Sequence, residues 1–159
     1  MTAPCPFGIL TAIADGRSEE QMAQTLVLIK PDAVRRGLVG EIIRRLENRT
    51  LTIKALKTAR PSRELAERHY EVHRGKPFFE EVVSFIASGP IVVAVIEGEN
   101  AIEVVREMIG ALDPSSAQPG TIRGDYTLSV KENLVHGSDS SESAEREIAV
   151  WFSPEEILP

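Results

Sequence analysis

The run Ile91–Ile96 constrains the fold of this chain more than any other segment. It consists of six apolar residues, five of them β-branched, with no alternation of polar and apolar positions. A strand of this composition is buried on both faces, because a solvent-exposed face would place a polar residue at every second position. The chain is therefore expected to build a central strand with other structure packed on each side of it.

Three further segments have the character of strands. Thr25–Lys30 is a nearly continuous β-prone run that ends at Pro31, which has no N–H to donate to a sheet. Leu51–Ala55 and Tyr126–Val130 alternate apolar and polar residues, as half-exposed strands do. With Ile91–Ile96 these segments predict four strands, of which Tyr126–Val130 is the last.

Helical periodicity occupies the segments between the strands. It begins near Leu38, Ser62 and Pro77, covers residues 100–110, and returns after Asp139. Glu142 follows Asp139 at the spacing of a helix N-terminal cap, whereas residues 111–124 show no periodicity and predict a long loop. Strands separated in this way predict an α+β protein with a ferredoxin-like split βαβ fold, a four-stranded antiparallel sheet covered by helices.

Composition narrows the class of protein. The length of 159 residues and an apolar content of 42% suit one domain with a real core, and the single cysteine, Cys5, suits a reducing compartment such as the cytoplasm. A formal charge of −6 argues against a nucleic-acid binder, and the longest apolar runs fall far below the roughly 20 residues of a membrane span.

The first 24 residues read as a flexible N-terminal extension, and residues 25–159 as the folded domain. The extension carries a short apolar patch between prolines and glycines, without the basic residues or the cleavage site of a secretory signal. Met22 stands just before the first strand, which raises the hypothesis that translation starts there.

The sequence contains few motifs that indicate a catalytic or phosphate-binding site. Neither common glycine-rich phosphate loop is present, so a phosphate site must be built from side chains. His136 lies between an apolar run and small polar residues at a helix start, where backbone amides can bind an anion. Taken alone it reads as an ordinary loop histidine, just as Lys30, Arg106 and Arg123 read singly as solvated charges. The alternative is that these four side chains converge on one site in the folded protein.

A second pair of histidines, His69 and His73, lies four residues apart on a predicted helix. The pair lacks the glutamate that follows the first histidine of a zincin, and it lacks a third ligand. We therefore expect both histidines to be exposed and to bind no metal.

Several motifs, in the same order along the chain, resemble those of the nucleoside diphosphate kinases. The resemblance runs from about Thr25 to Pro159, and its most specific segments are Pro119–Asp125 and Asn133–Ser140. The other matching segments are Lys30–Asp32, Arg35–Glu41, His69–Tyr70, Pro77–Phe79, Ser88–Pro90 and Glu142–Glu147.

This resemblance implies a reversible ping-pong reaction, in which a phosphoryl group passes from a nucleoside triphosphate to His136 and then to a nucleoside diphosphate. A neutral imidazole is a good nucleophile near pH 7, and its N–P bond stays reactive enough to pass the group on. In this scheme Glu147 orients the imidazole ring, and Ser138 supports Glu147.

The resemblance also implies how the nucleotide is bound. Lys30, Arg106 and Arg123 would neutralise charge on the transferred phosphoryl oxygens. The other implied contacts are Tyr70 near the nucleotide and the histidine, Phe78 stacked on the base, Val82 and Val130 beside it, Leu112 at a phosphate position and Asn133 on the ribose. Stacking accepts any base, so broad base selectivity is expected. Spacing alone equally permits Phe78 and Val82 to be core residues of their helix.

Cofactor and partners follow from the same resemblance. Mg²⁺ would bridge the nucleotide phosphates without a direct protein ligand. The family forms tetramers or hexamers from a shared dimer, and nothing in the sequence chooses between the two. The partners implied are nucleoside di- and triphosphates and further copies of the chain, with no membrane and no specific nucleic acid.

Two positions depart from the family pattern. Leu112 stands where a threonine hydroxyl usually contacts a phosphate, and leucine has no group to donate. Arg49-Thr50 replaces a usual Lys-Gly, which would put a β-branched residue where a left-handed backbone is wanted. The first departure keeps open an alternative function, that of a weakened homologue acting as a nucleotide-binding or protein-interaction module. An RNA-binding domain of the same topology is a poorer alternative, because the strands lack paired exposed aromatic residues.

Overall fold

The computed structural model describes residues 22–159, and in these residues four strands form one antiparallel sheet. The strands are β1 (Met22–Ile29), β2 (Thr52–Ala59), β3 (Ile91–Glu99) and β4 (Val135–Gly137), in the order β2-β3-β1-β4. The predicted α+β fold is confirmed, and the run Ile91–Ile96 lies in an interior strand as expected.

Helices fill the connections between the strands. They are α1 (Pro31–Arg35), α2 (Val39–Asn48), α3 (Arg63–His69), α4 (Phe79–Ile86), α5 (Ala101–Ile109), α6 (Ile122–Tyr126) and α7 (Ser141–Trp151), with 3₁₀ turns at Glu71–His73 and Pro154–Glu156. The five predicted helices correspond to α2, α3, α4, α5 and α7, whereas the short α1 and α6 were not predicted. None of the helices between residues 22 and 159 is long and apolar enough to cross a membrane.

The core lies on both faces of the sheet. Strand β3 sends Val92, Ala94 and Ile96 to one face, which α2 and α5 cover, and Ile91, Val93 and Val95 to the other, which α3, α4 and α7 cover. All six side chains are buried, which explains the lack of alternation in this run. The two helical layers therefore cover both faces of the sheet.

The predicted last strand is wrong. Tyr126 ends α6, Leu128 is 97% exposed, and the fourth strand is instead β4. Local hydrogen bonds explain the difference: Thr127 Oγ1 donates to the carbonyl of Glu132, and Ser129 Oγ accepts from the N–H groups of Lys131 and Glu132. Side chains that bond their own backbone stabilise a compact turn in place of a sheet ladder.

Two predicted boundaries also move. Ser140, not Asp139, caps α7, with its Oγ accepting from the N–H of Ser143 at 3.1 Å. Strand β1 begins at Met22, so residues 22–24, which were assigned to the N-terminal extension, are its first residues. The rest of the predicted extension lies outside the described residues.

Candidate active site

A cavity of about 720 Å³ opens beside α4, the end of α5 and the segment that leads into β4. Ten of the twelve residues assigned to the site from sequence line it: Lys30, Tyr70, Phe78, Val82, Arg106, Leu112, Arg123, Val130, Asn133 and His136. The other two, Ser138 and Glu147, are buried next to His136. The structure therefore brings the dispersed candidates into one place.

His136 is the middle residue of β4, so it lies within the sheet and not in a loop, which is how it reads from the sequence alone. It pairs with Leu28 of β1, and its side chain is 24% exposed while both neighbours in β4 are buried. A Cβ on Gly137 would lie 2.8 Å from Ile109 Cδ1, so the glycine is what allows α5 to pack this closely on β4. This packing brings Arg106 of α5 to the cavity of His136.

Glu147 orients the imidazole of His136. Its Oε2 lies 3.0 Å from His136 Nε2 and accepts a 2.7 Å hydrogen bond from Ser138 Oγ, and the carboxylate is buried. A carboxylate only accepts, so the proton between the two side chains resides on Nε2. The lone pair of the neutral His136 ring therefore lies on Nδ1, which is the ring nitrogen able to act as a nucleophile.

Lys30 follows directly after β1 and is 8% exposed. Its ammonium donates to Asn133 Oδ1 at 2.7 Å. Burial, helped by the nearby Arg123 guanidinium and opposed by Asp32, lowers the pKa of Lys30 to about 8. Lys30 is thus still a cation at neutral pH, and a bound anion would stabilise its charged form.

Arg123 lies in α6 and contacts both sides of the cavity. Its Nη1 donates to the carbonyl of Gly110 at the end of α5, while Nε and Nη2 donate to the carbonyls of Asn133 and Val135. Burial and the neighbouring Arg106 lower the pKa of Arg123 to about 10. Arg123 therefore adds positive charge to the cavity and also ties α5 to the segment before His136.

The backbone between Asn133 and His136 is strained. Leu134 is fully buried with a φ of +70°, a left-handed conformation that costs a non-glycine residue roughly 1–3 kcal/mol. Its N–H donates to Asp32 Oδ2 at 3.0 Å, and its carbonyl accepts from the N–H of Lys30 at 2.8 Å. Sequence reasoning did not assign Asp32, although it follows Lys30-Pro31 in the quoted motif.

An apolar slot forms one end of the cavity. Phe78 is 43% exposed and Val130 is 51% exposed, and Val82 and Phe85 line the same space. Phe79 is the buried member of the Phe78-Phe79 pair, so Phe78 is free to meet a ligand. The alternative that Phe78 is a core residue of its helix does not hold.

His69 contradicts the expectation that it is exposed. It is 2% exposed, and its ring centroid lies 4.9 Å from that of His136. The signal that sequence reasoning missed is its position, three and four residues after Ala66 and Leu65 on the inward face of α3. His73, by contrast, lines the cavity near Phe78 and was not assigned to the site either.

His69, His136 and Glu147 have ligand atoms within 4.8 Å of one another, as a metal site would. However, Trp151 Nε1 donates to His69 Nδ1 at 3.2 Å. An indole nitrogen can only donate, so His69 carries its own proton on Nε2 and presents an N–H to this cluster in place of a lone pair. The three residues are therefore not arranged to ligate a metal ion.

Comparison with known proteins gives this geometry a family. The family model described as nucleoside diphosphate kinase matches residues 23–157. The chain belongs to the nucleoside diphosphate kinase family.

Individual relatives agree with the family model. The nucleoside diphosphate kinase of Rubrobacter xylanophilus is 63% identical over 131 residues, which cover 82% of this chain and 98% of that protein. That of Hyperthermus butylicus is 60% identical, over 85% of this chain and 95% of that protein. The solved structure of a halophilic nucleoside diphosphate kinase from Halobacterium salinarum in complex with CDP has a TM-score of 0.84 at 46% identity, covering 87% of this chain and 93% of that one.

Membership in the nucleoside diphosphate kinase family assigns a chemistry to the cavity. Its enzymes transfer phosphoryl groups between nucleotides, and the inactive-module alternative is not favoured by relatives of this similarity. Leu112, the position at which the sequence departs from the expected family pattern, lines the cavity and is 51% exposed.

Proposed function

We propose that this nucleoside diphosphate kinase carries the phosphoryl group on Nδ1 of His136. The observation that supports this is the bond between His136 Nε2 and the buried Glu147 carboxylate, which leaves the Nδ1 lone pair free for attack. The same pattern, a nucleophile held by an orienting group, recurs in covalent catalysis on unrelated folds.

The reaction then consists of two displacements. In the first, the Nδ1 lone pair attacks the terminal phosphorus of a nucleoside triphosphate, and the bond to the bridging oxygen breaks with its electron pair going to the departing diphosphate. Positive charge on the ring is stabilised by the Glu147 carboxylate through the Nε2 proton. In the second, a terminal oxygen of a nucleoside diphosphate attacks the same phosphorus, and the N–P bond electrons return to Nδ1.

Three cations face the phosphate end of the cavity. Lys30, Arg106 and Arg123 line it, and the partial burial of Lys30 and Arg123 strengthens their attraction for a phosphate. Phosphoryl transfer needs such groups because the transition state spreads negative charge over the transferred oxygens. Asn133 completes this end, where we assign it to the ribose. Tyr70 also belongs here, since burial raises the pKa of its hydroxyl and keeps it protonated.

The apolar slot takes the base. Phe78 stacks on one side of it, and Val82 and Val130 add apolar contacts. Aromatic stacking does not distinguish one base from another, so we propose that all common nucleoside diphosphates are accepted. The CDP bound in the halobacterial relative shows that a protein of this fold takes a pyrimidine nucleotide.

A divalent cation accompanies phosphotransfer in this family, and we propose Mg²⁺. Lys30, Arg106 and Arg123 line the cavity together with the carboxylates Glu81, Glu132 and Asp139, and among residues 22–159 these carboxylates do not form a cluster of three potential metal ligands. The arrangement that we propose is an ion held by the nucleotide phosphates, with no direct protein ligand. When bound, the ion neutralises part of the phosphate charge.

We further propose that the chain works as a cytoplasmic homo-oligomer, a tetramer or a hexamer. Support comes from β2, an eight-residue strand at one edge of the sheet that pairs only with β3 among the described residues. Leu56, on this strand, is 47% exposed. A long edge strand with an exposed apolar side chain is a surface for association with another chain.

The decisive experiment is phosphoenzyme formation. We expect wild-type protein incubated with γ-labelled ATP and Mg²⁺ to acquire a label that is acid-labile and alkali-stable, and to lose it when any nucleoside diphosphate is added. His136→Ala should acquire none. Unlabelled wild-type protein would favour the nucleotide-binding module instead.

A further inference from the structure

His69 is a buried titratable side chain at the site whose role the reaction scheme leaves open. It ends α3, and its ring stands at 85° to the His136 ring with their centroids 4.9 Å apart. Trp151, at the end of α7, holds it from the other side through a 3.2 Å hydrogen bond to Nδ1. A chain of three rings thus runs from the core to the nucleophile.

Its hydrogen bonding is incomplete. Because the Trp151 indole donates to Nδ1, the neutral ring carries its proton on Nε2, and this buried atom has no hydrogen-bond partner among residues 22–159. Burial and the adjacent His136 lower the pKa of His69 well below its ordinary value, so the ring is neutral. An unpaired buried N–H opposes stability, which makes stability a poor reason for a histidine at this position.

The orientation of the His136 ring is only partly fixed by its bond to Glu147. Glu147 binds one nitrogen of His136, but a single hydrogen bond leaves the ring free to swing about it, and the torsion between Cβ and the ring of histidine has broad minima. In-line attack needs the Nδ1 lone pair aimed at phosphorus, and a misplacement of about 1 Å can slow a reaction roughly a hundredfold. A second contact that limits rotation of the ring would therefore favour in-line attack.

We propose that His69 is a positioning residue, whose ring, held by Trp151, stands against the His136 ring and limits the ring rotation that Glu147 leaves free. The proposal rests on His136 being the phosphoryl acceptor. Trp151 belongs to the same device, since it fixes both the orientation and the tautomer of His69. Tyr70 is a weaker neighbour, with its ring centroid 6.3 Å from that of His136.

Two substitutions of His69 separate positioning from packing. In His69→Asn the amide oxygen can take the place of Nδ1 and accept from Trp151, but the side chain is too short to reach His136. In His69→Gln the longer side chain carries its amide to the place of Nε2 and keeps a group against the His136 ring. Trp151→Phe leaves both histidines and removes the hydrogen bond that holds His69.

The readouts are the single-turnover rate of His136 phosphorylation, the nucleotide Kd and the melting temperature. We expect His69→Asn to slow phosphorylation about tenfold to a hundredfold with Kd changed less than twofold, His69→Gln to recover most of the rate, and Trp151→Phe to lie between them. If the rates of the three variants simply follow their melting temperatures, or if His69→Asn keeps the wild-type rate, the positioning role is overturned.

A spectroscopic measurement separates this proposal from that of the nucleophile. The ¹⁵N resonances of the His136 ring in resting enzyme should be sharp in wild-type protein and broadened by ring motion in His69→Asn. This result would support positioning even if wild-type protein formed no phosphoenzyme, which would reject only the proposed reaction. Equally sharp resonances in both proteins would overturn the positioning role.

Discussion

Leu112 is the cavity residue at which this chain departs from the pattern that the family resemblance leads us to expect. It lines the phosphate end of the cavity with half of its surface exposed, where the family usually has a threonine hydroxyl. A leucine there offers no donor to a charged oxygen. One hydrogen bond to a charged group contributes about 1.5 to 3 kcal/mol, which corresponds to roughly tenfold to a hundredfold in rate or binding.

We therefore expect Leu112→Thr to raise kcat/KM by about tenfold, because a hydroxyl can donate to a phosphate oxygen. The matched control is Leu128→Thr, an exposed leucine that does not line the cavity, which should leave kcat/KM unchanged. Steady-state kinetics with ATP and a nucleoside diphosphate measure the effect. An unchanged or lower kcat/KM in Leu112→Thr contradicts the assignment of this position.

Thr50 has the left-handed backbone that the sequence predicted, with a φ of +64°. This conformation costs a β-branched residue about 1–2 kcal/mol, whereas glycine loses about 0.5–1 kcal/mol more in chain entropy. Thr50→Gly should therefore raise the melting temperature by about 1–4 °C. Thr52→Gly, at an exposed position within β2, should lower it. Thermal unfolding of the two variants would refute the argument if Thr50→Gly melts lower than wild type.

We expect deprotonation of Lys30 to lower activity at alkaline pH. Its pKa is about 8 in the folded protein against 10.5 ordinarily, so between these values the folded protein has lost a proton that the unfolded chain retains. The free energy of unfolding should therefore rise over this range, while kcat/KM falls because the phosphate site loses a cation. Lys30→Arg should move the decline in kcat/KM to higher pH. A decline that is the same in both proteins would show that another group controls it.

At the scale of elements, the site depends on the segment between Asn133 and Gly137. It carries the strained Leu134, and it delivers Asn133 to Lys30 and His136 to Glu147. Asp32, in the first turn of α1, holds this segment by accepting the N–H of Leu134. The short helix α1 thus fixes the backbone that presents the nucleophile.

We expect Asp32→Ala to lower the free energy of unfolding by about 1–3 kcal/mol, since the buried N–H of Leu134 loses its acceptor. It should also raise the nucleotide KM by displacing Asn133 and Lys30. Asp32→Asn keeps an acceptor oxygen and should lose less of both. Chemical denaturation and steady-state kinetics measure the two effects, and an Asp32→Ala protein as stable as wild type would show that Leu134 needs no such support.

At the scale of the whole molecule, β2 forms a long edge of the sheet that pairs with no further strand among the described residues, although the N–H of Leu158 donates to the carbonyl of Lys54 there. Leu56 is exposed on this strand, whereas β4 at the opposite edge has only three residues. The proposed oligomer would bury this surface. The active-site cavity opens beside α4 and α5 and not at the β2 edge.

Light scattering after size exclusion should give the mass of four or six chains of 17.4 kDa. Leu56→Asp should lower this mass, because a carboxylate would then be buried at the proposed contact. Leu128→Asp changes an equally apolar but fully exposed leucine and should not. A wild-type mass of one chain would reject the oligomer, and an unchanged mass in Leu56→Asp would place the contact elsewhere.

Local pattern explains what sequence reasoning predicted correctly. Unbroken apolar composition identified β3, helical spacing identified α2 and α5, and the helix predicted to begin near Ser62 is α3, which Ser62 caps. Sequence reasoning failed where polar side chains hydrogen-bond to nearby backbone groups. The alternation in Tyr126–Val130 predicted a strand, but Thr127 and Ser129 form such bonds and stabilise a turn there. The same chemistry moved the cap of α7 by one residue.

The sequence by itself determined the α+β fold class and the family, because hydrophobic patterns and motifs depend on neighbouring positions, and it predicted the residues that the structure gathers around one cavity. Only the tertiary structure decided that His69 is buried against His136, that Trp151 sets its tautomer, and that Asp32 holds Leu134. These contacts join residues 67 to 102 positions apart in the chain, and burial of a polar group depends on partners that local periodicity does not contain.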